Sequence, residues 1–213
     1  MSNFSHITRL IFVIGLLISI QFVIFCSRAG YKPLTSSVEN HIKEPYIFDH
    51  DFKKAVYKTN INIYGNNLTG LTLIKKTDSA MHVVSMSELG IKYFDIEFPD
   101  DQQREFKVHY IMEPLNKEFI ISRISKEFRL MFSLPDFDES SVMISKNNNS
   151  RLFLKGKNRI YFFDKTGAIS EICKQRWPLS PKPIIRLSDY KLSFPHSVEI
   201  DYNHLSFDLD AIN

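Results

Sequence analysis

Apolar and polar residues alternate with a period of two along most of this chain, which predicts strands. Val56, Lys58, Asn60 and Asn62 alternate with Tyr57, Thr59, Ile61 and Ile63, so one face of the segment is apolar and the other wet. Tyr64-Gly65-Asn66-Asn67 supplies a turn, and Leu68 to Lys76 resumes the extended pattern. That is a hairpin. Two further strands follow, Ala80 to Ser87 and Ile91 to Phe98, separated by Glu88-Leu89-Gly90 with Gly90 placed for a positive φ. Within the second, Lys92, Phe94, Ile96 and Phe98 form the more apolar face. A fifth strand is expected at Glu105 to Met112.

The period changes once. After Glu113-Pro114, Ile120, Ile124, Phe128 and Met131 recur at intervals of 4, 4 and 3 residues, with Phe119, Ile121 and Phe132 widening the stripe. This predicts an amphipathic helix, N-capped by Asn116, with Glu118 in its first turn. Pro135 disfavours a helical residue before it, so the helix ends by Leu134. Strands return at Ser141 to Ser145, Arg151 to Leu154, Arg159 to Phe163 and Ala168 to Cys173, with Lys165-Thr166-Gly167 as a turn. A loop is expected around Pro178, Pro181 and Pro183, then two last strands, Ser197 to Tyr202 and Leu205 to Leu209. The fold class is mainly β (α+β).

The N-terminus departs from both periods. Leu10 to Phe25 is an almost unbroken apolar run that follows Arg9 and ends at Cys26, the order of an export signal. Two outcomes stay open for residues 1–26: cleavage before Cys26 with lipidation of its thiol, or retention as an uncut membrane anchor. Val23-Ile24-Phe25 half supports the first, because such sites carry a small residue where Phe25 stands. The run is a little short of the ~20 residues a spanning helix needs. Either way the domain is tethered to a membrane. Residues 27–51, with Pro33, Ser36-Ser37 and Pro45, read as the tether, and residues 52–213 as one β-rich domain.

Composition narrows the function. Arg9 is the one charged side chain before Cys26, which leaves 26 basic against 24 acidic side chains. So even a balance excludes a nucleic-acid surface. Phenylalanine is abundant at 18 copies and glycine scarce at 7, which fits long strands around something apolar. Cys173 reads as a buried small hydrophobe.

Catalytic chemistry is missing from the sequence. There is no H-E-x-x-H, G-x-S-x-G, P-loop or C-x-x-C, and the histidines at 41, 50, 82, 109, 196 and 204 lack a short metal-ligand spacing. Asp136, Asp138 and Glu139 could offer oxygens to a hard cation, but lack the glycine turn and distal glutamate of an EF-hand loop. Asp208 and Asp210 read as the wet face of an edge strand. Trp177, before a proline, suits a boundary between apolar and polar surroundings. The expectation is a protein without catalytic residues, metal or cofactor.

Tyr57 to Tyr64, Leu68 to Lys76 and Glu88 to Asp95, together with the exported leader ending at a cysteine and the closing Pro195 to Tyr202, resemble small envelope lipoproteins of Bacteroidota type related in outline to the LolA/LolB lipoprotein carriers. The resemblance covers roughly residues 55–132 and 195–210. It implies a curved antiparallel sheet, an incomplete β-barrel, covered by an amphipathic helix and enclosing an apolar cavity for acyl chains. The ligand-binding positions expected on that basis are Ile61, Ile63, Leu73, Phe94, Ile96 and Phe98 on concave strands, and Ile120, Ile124 and Phe128 on the helix. No exposed apolar loop is recognised in the sequence. The expected function is a membrane-anchored periplasmic protein of the cell envelope, an outer-membrane lipoprotein, that binds a lipid or acylated lipoprotein without catalysis. The alternative is an accessory lipoprotein subunit whose partner is another envelope protein.

Overall fold

The protein is seen in a computed structural model that describes residues 31–33, 43–134, 142–145, 152–155, 159–175, 182–191 and 193–212. Thirteen strands form one sheet, with a single α-helix among the described residues. The strands are β1 (Tyr31–Pro33), β2 (Lys54–Ile63), β3 (Asn66–Lys76), β4 (Ala80–Met86), β5 (Lys92–Pro99), β6 (Lys107–Ile111), β7 (Met143–Ser145), β8 (Leu152–Lys155), β9 (Arg159–Phe163), β10 (Ile169–Lys174), β11 (Lys182–Lys191), β12 (Phe194–Tyr202) and β13 (Leu205–Ala211). The helix, α1 (Glu118–Phe132), follows β6 and a 3-10 turn at Glu113–Leu115.

The spatial order is β1-β7-β8-β9-β10-β11-β12-β13-β2-β3-β4-β5-β6, and every strand pair is antiparallel. Among the described residues β1 and β6 do not meet, so the sheet is open. β13, expected from the sequence to be an edge strand, is instead interior: it lies between β12 and β2, with Phe207 opposite Ile61. Asp208 and Asp210 therefore face solvent from the middle of the sheet.

Ring distances show how strongly the sheet bends. β13 and β5 are four strand spacings apart, about 19 Å in a flat sheet, yet the rings of Phe207 and Phe94 have centroids 6.3 Å apart. Phe128 of α1 touches both, at 5.4 Å from Phe207 and 6.3 Å from Phe94. The sheet curls around the helix. Gly70 marks one bend: a Cβ there would stand 2.0 Å from the Met86 carbonyl oxygen, an approach only glycine permits.

Local sequence explains most elements. In β2, Ala55, Tyr57, Thr59, Ile61 and Ile63 are buried, as the alternation requires. Ile120, Ile124, Phe128 and Met131 form the buried stripe of α1, and Glu118 and Arg129 complement its two dipole ends. Arg129 also donates to the carbonyl oxygen of Arg104 at 2.6 Å, fixing the helix C-terminus to the loop before β6.

Four further expectations change. Leu73 is not concave: it pairs with Val56 and Val84 on the opposite face, because Tyr57 and Thr72 pair inward and place Gly70, Thr72 and Ile74 there. Asn116 does not cap α1. Lys117 holds that position, without a side-chain cap, while the backbone N–H of Asn116 closes the 3-10 turn on the Glu113 carbonyl oxygen. A ten-residue strand not expected from the sequence, β11, begins at Lys182 inside the proline-rich loop and runs on to Lys191. Pro183 is tolerated because it opposes Cys173, where the ladder shifts register. The region read as tether includes β1 and, at its end, docked structure: Ile47 is 1% exposed, and Tyr46 exchanges backbone hydrogen bonds with Gly167 and Ile169. Residues 1–26 with Cys26, the Asp136–Asp138–Glu139 group and Trp177 lie outside the described residues.

Candidate functional site

The upper end of the sheet is defined here by the β2–β3, β4–β5 and β12–β13 turns and the N-terminus of α1. The lower end carries the β3–β4 turn, the helix C-terminus and residues 43–52. The eight concave positions predicted as a ligand surface, all but Leu73, do come together, yet they do so as packed core. Phe94, Ile96, Ile61, Ile124 and Phe128 are fully buried, and Phe98, Ile63 and Ile120 nearly so. Phe128 sits 6.2 Å from Phe98, and the side chains of α1 and the strands occupy the space under the helix.

An opening lies at the lower end, where sequence reasoning placed none. A cleft of about 640 Å³ runs between residues 43–52 and the last turn of α1. Ile47, Phe48, Phe52, Met81, Met131, Phe132 and Leu134 make its apolar floor, while Lys43, Glu44, Asp49, His50, Lys76 and Asp100 stand around it. Lys76 and Asp100 are joined at 2.5 Å, and His50 at 2.6 Å from Asp49 lowers that carboxyl below its usual range. Rings continue the floor inward: Phe48 lies 5.7 Å from Phe132, and Phe132 5.2 Å from Phe98. Predicted residues Phe98 and Phe128 thus form a layer directly behind the cleft. The signal available in the sequence was the apolar triplet Ile47, Phe48 and Phe52, hidden by its position after a polar tether.

The upper end exposes apolar groups. Leu89 is 90% exposed, and Ile91, Tyr64 and Phe119 are more than half exposed. Gly90, at φ 82°, makes the turn that lifts Leu89 outward. The expectation of no exposed apolar loop is corrected here; the visible signal was a leucine and an isoleucine inside a turn.

The convex face of β4–β6 carries a polar cluster. Asp95 accepts from His82 at 2.5 Å and from Lys92 at 2.6 Å, and Glu97 pairs with His109 at 2.8 Å. Burial would raise the Asp95 carboxyl, but the Lys92 and His82 contacts outweigh it and hold it below its ordinary value. Among the described residues no group of three or more His, Cys, Asp and Glu is arranged to hold a metal ion. No helix among them is long and apolar enough to cross a membrane. Cys173 is buried beside Phe162, as the sequence suggested.

No protein-family model matches the chain, and no curated protein matches it. Among solved structures, a crystal structure from Vibrio parahaemolyticus named as an outer membrane lipoprotein-sorting protein domain aligns over 78% of this chain and 86% of its own, with 9% sequence identity and a TM-score of 0.31. A likeness at that level carries neither ligand nor mechanism across, and the chain is described by its own geometry: an open, mainly β sheet curled over one helix, with an apolar cleft below and exposed apolar turns above.

Proposed function

We propose that this is a membrane-tethered protein of the cell envelope that holds a single apolar chain, of a lipid or an acylated lipoprotein, and performs no covalent chemistry on it. The lower cleft is the observation that carries this reading. Its volume falls within the ~300–1,000 Å³ range of small-molecule sites, its floor is continuous with the core, and mixed charges surround it. A hydrocarbon chain lying on Phe48, Phe132 and Leu134 would gain roughly 25 cal/mol per Å² removed from water, while a polar head stayed among Lys43, Lys76 and Asp100. The apolar run Leu10 to Phe25 supplies the tether in either of its two forms.

Photocrosslinking of the full chain in membranes with a photoactivatable palmitate analogue tests the reading. Label is expected on peptides containing residues 43–52 and 126–134, and it should disappear in Phe132→Asp at a temperature where circular dichroism shows that variant still folded. Label confined to other peptides, or none above background, would sink the proposal.

A second reading, an accessory subunit of an envelope assembly, is favoured by Leu89, an apolar side chain standing in solvent. Co-purification of a defined envelope protein that is lost in Leu89→Ser would select it.

A further inference from the structure

We propose that the upper end of the concave face carries a phosphate-ester pocket lined by Arg123 and Tyr202, with Lys174 beside the Tyr202 ring as a further cation. A recess of about 60 Å³ lies there, lined by Ile63, Tyr64, Phe119, Arg123, Tyr202 and His204 among others. That is about two water molecules' share of liquid volume at ~30 Å³ each, room for one compact charged group.

Three elements bring the donors together. Arg123, in the second turn of α1, places its guanidinium carbon 4.1 Å from the centroid of the Tyr202 ring at the end of β12. Lys174, the last residue of β10, places its Nζ 5.9 Å from the same ring. A tetrahedral anion presents acceptor oxygens in several directions, which suits a planar fork, an ammonium and a phenol together. The Tyr202 phenol reports the local field: contact with Arg123, then the nearby Lys174 charge, holds its pKa below the ordinary tyrosine value against the opposing effect of burial.

The nearby acid opposes this charge only in part. Glu127 approaches Arg123 only to 3.9 Å, its Oε2 has no hydrogen-bond partner, and burial pushes its carboxyl pKa upward in spite of Arg159, Arg123 and Lys126. At the lip, Tyr64 and Phe119 meet edge to face at 5.5 Å and remain exposed, a surface for the uncharged part of an ester. The pocket stands a helix length from the lower cleft, about 22 Å for fifteen residues, so it holds whether or not the cleft binds an acyl chain.

Calorimetric titration of the full chain in non-ionic maltoside micelles, with inorganic phosphate and with dihexanoyl phosphatidylglycerol as separate probes, tests this. Saturable binding is expected, weakened about tenfold in Arg123→Gln and in Lys174→Gln, weakened less in Tyr202→Phe, and tightened in Glu127→Gln. Arg186→Gln, on the convex face opposite Glu199, should bind as the parent does. Binding of both probes assigns the pocket to phosphate itself; binding of the lipid alone, lost in the same variants, assigns it to a headgroup ester. No saturable binding of either probe overturns the proposal, and so does a loss in Arg186→Gln equal to that in Lys174→Gln, whose exposed side chain leaves folding intact.

Discussion

The Tyr57 hydroxyl donates to the carbonyl oxygen of Pro195 at 3.0 Å, across 138 residues of sequence. The tyrosine is fully buried, and burial raises its pKa far above the ordinary range, so it stays a neutral donor. This bond ties β2 to the start of β12, two strands away. Tyr57→Phe leaves the carbonyl without that donor and should cost about 1–2 kcal/mol, measured by urea unfolding at unchanged slope.

Phe128 touches Phe94, Phe98, Phe132 and Phe207. Phe128→Ala is expected to cost about 3–5 kcal/mol, because the space under α1 is filled. A loss below about 1 kcal/mol, with uptake of a hydrophobic dye unchanged from the parent, would show that the helix covers a looser interior than the packing indicates.

Leu89 should behave in the opposite way. It has no packing to lose, so Leu89→Ser is expected to change stability by less than about 0.5 kcal/mol, and thermal melting decides the point.

Asp95 couples stability to acid. Its folded-state pKa lies below the ordinary 3.8, so its contribution is complete above that value and is lost as pH falls through the lower folded-state pKa. The melting temperature should therefore drop more steeply below about pH 4 in the parent than in Asp95→Asn. Equal slopes in the two proteins would remove the His82–Asp95–Lys92 cluster as a source of acid sensitivity.

Gly70 admits no side chain without moving the backbone of Met86. Gly70→Ala should destabilise by more than about 1 kcal/mol, and circular dichroism melts will show whether the bend tolerates it.

Period-two alternation made β2 legible to the residue, and the 4-4-3 spacing did the same for the buried stripe of α1. Leu73 was misplaced because β3 carries two large aliphatic side chains on each face, Leu71 and Leu73 outside and Leu68 and Ile74 inside. Only pairing with Tyr57 reveals which side is inward, and pairing is not written in one strand. β11 was hidden by Pro183, whose missing N–H is harmless only because of a register shift in β10. The cleft escaped notice for a related reason. Its walls are brought together from residues 43–52, 76–81, 100 and 131–134, and no local pattern announces that meeting. The phosphate-ester pocket likewise draws on α1, β10 and β12, each unremarkable alone.

The place of β13 has a consequence for how the molecule is made. Leu205 lies opposite Ile63, so the seam joining the two halves of the sheet pairs segments that are distant in sequence. Hairpins β2–β3 and β4–β5 can form locally, but the free edge of β2 stays unsatisfied until β13 docks on it. Such distant pairing slows folding, and it leaves the sheet open along one edge for longer than its hairpins take to form.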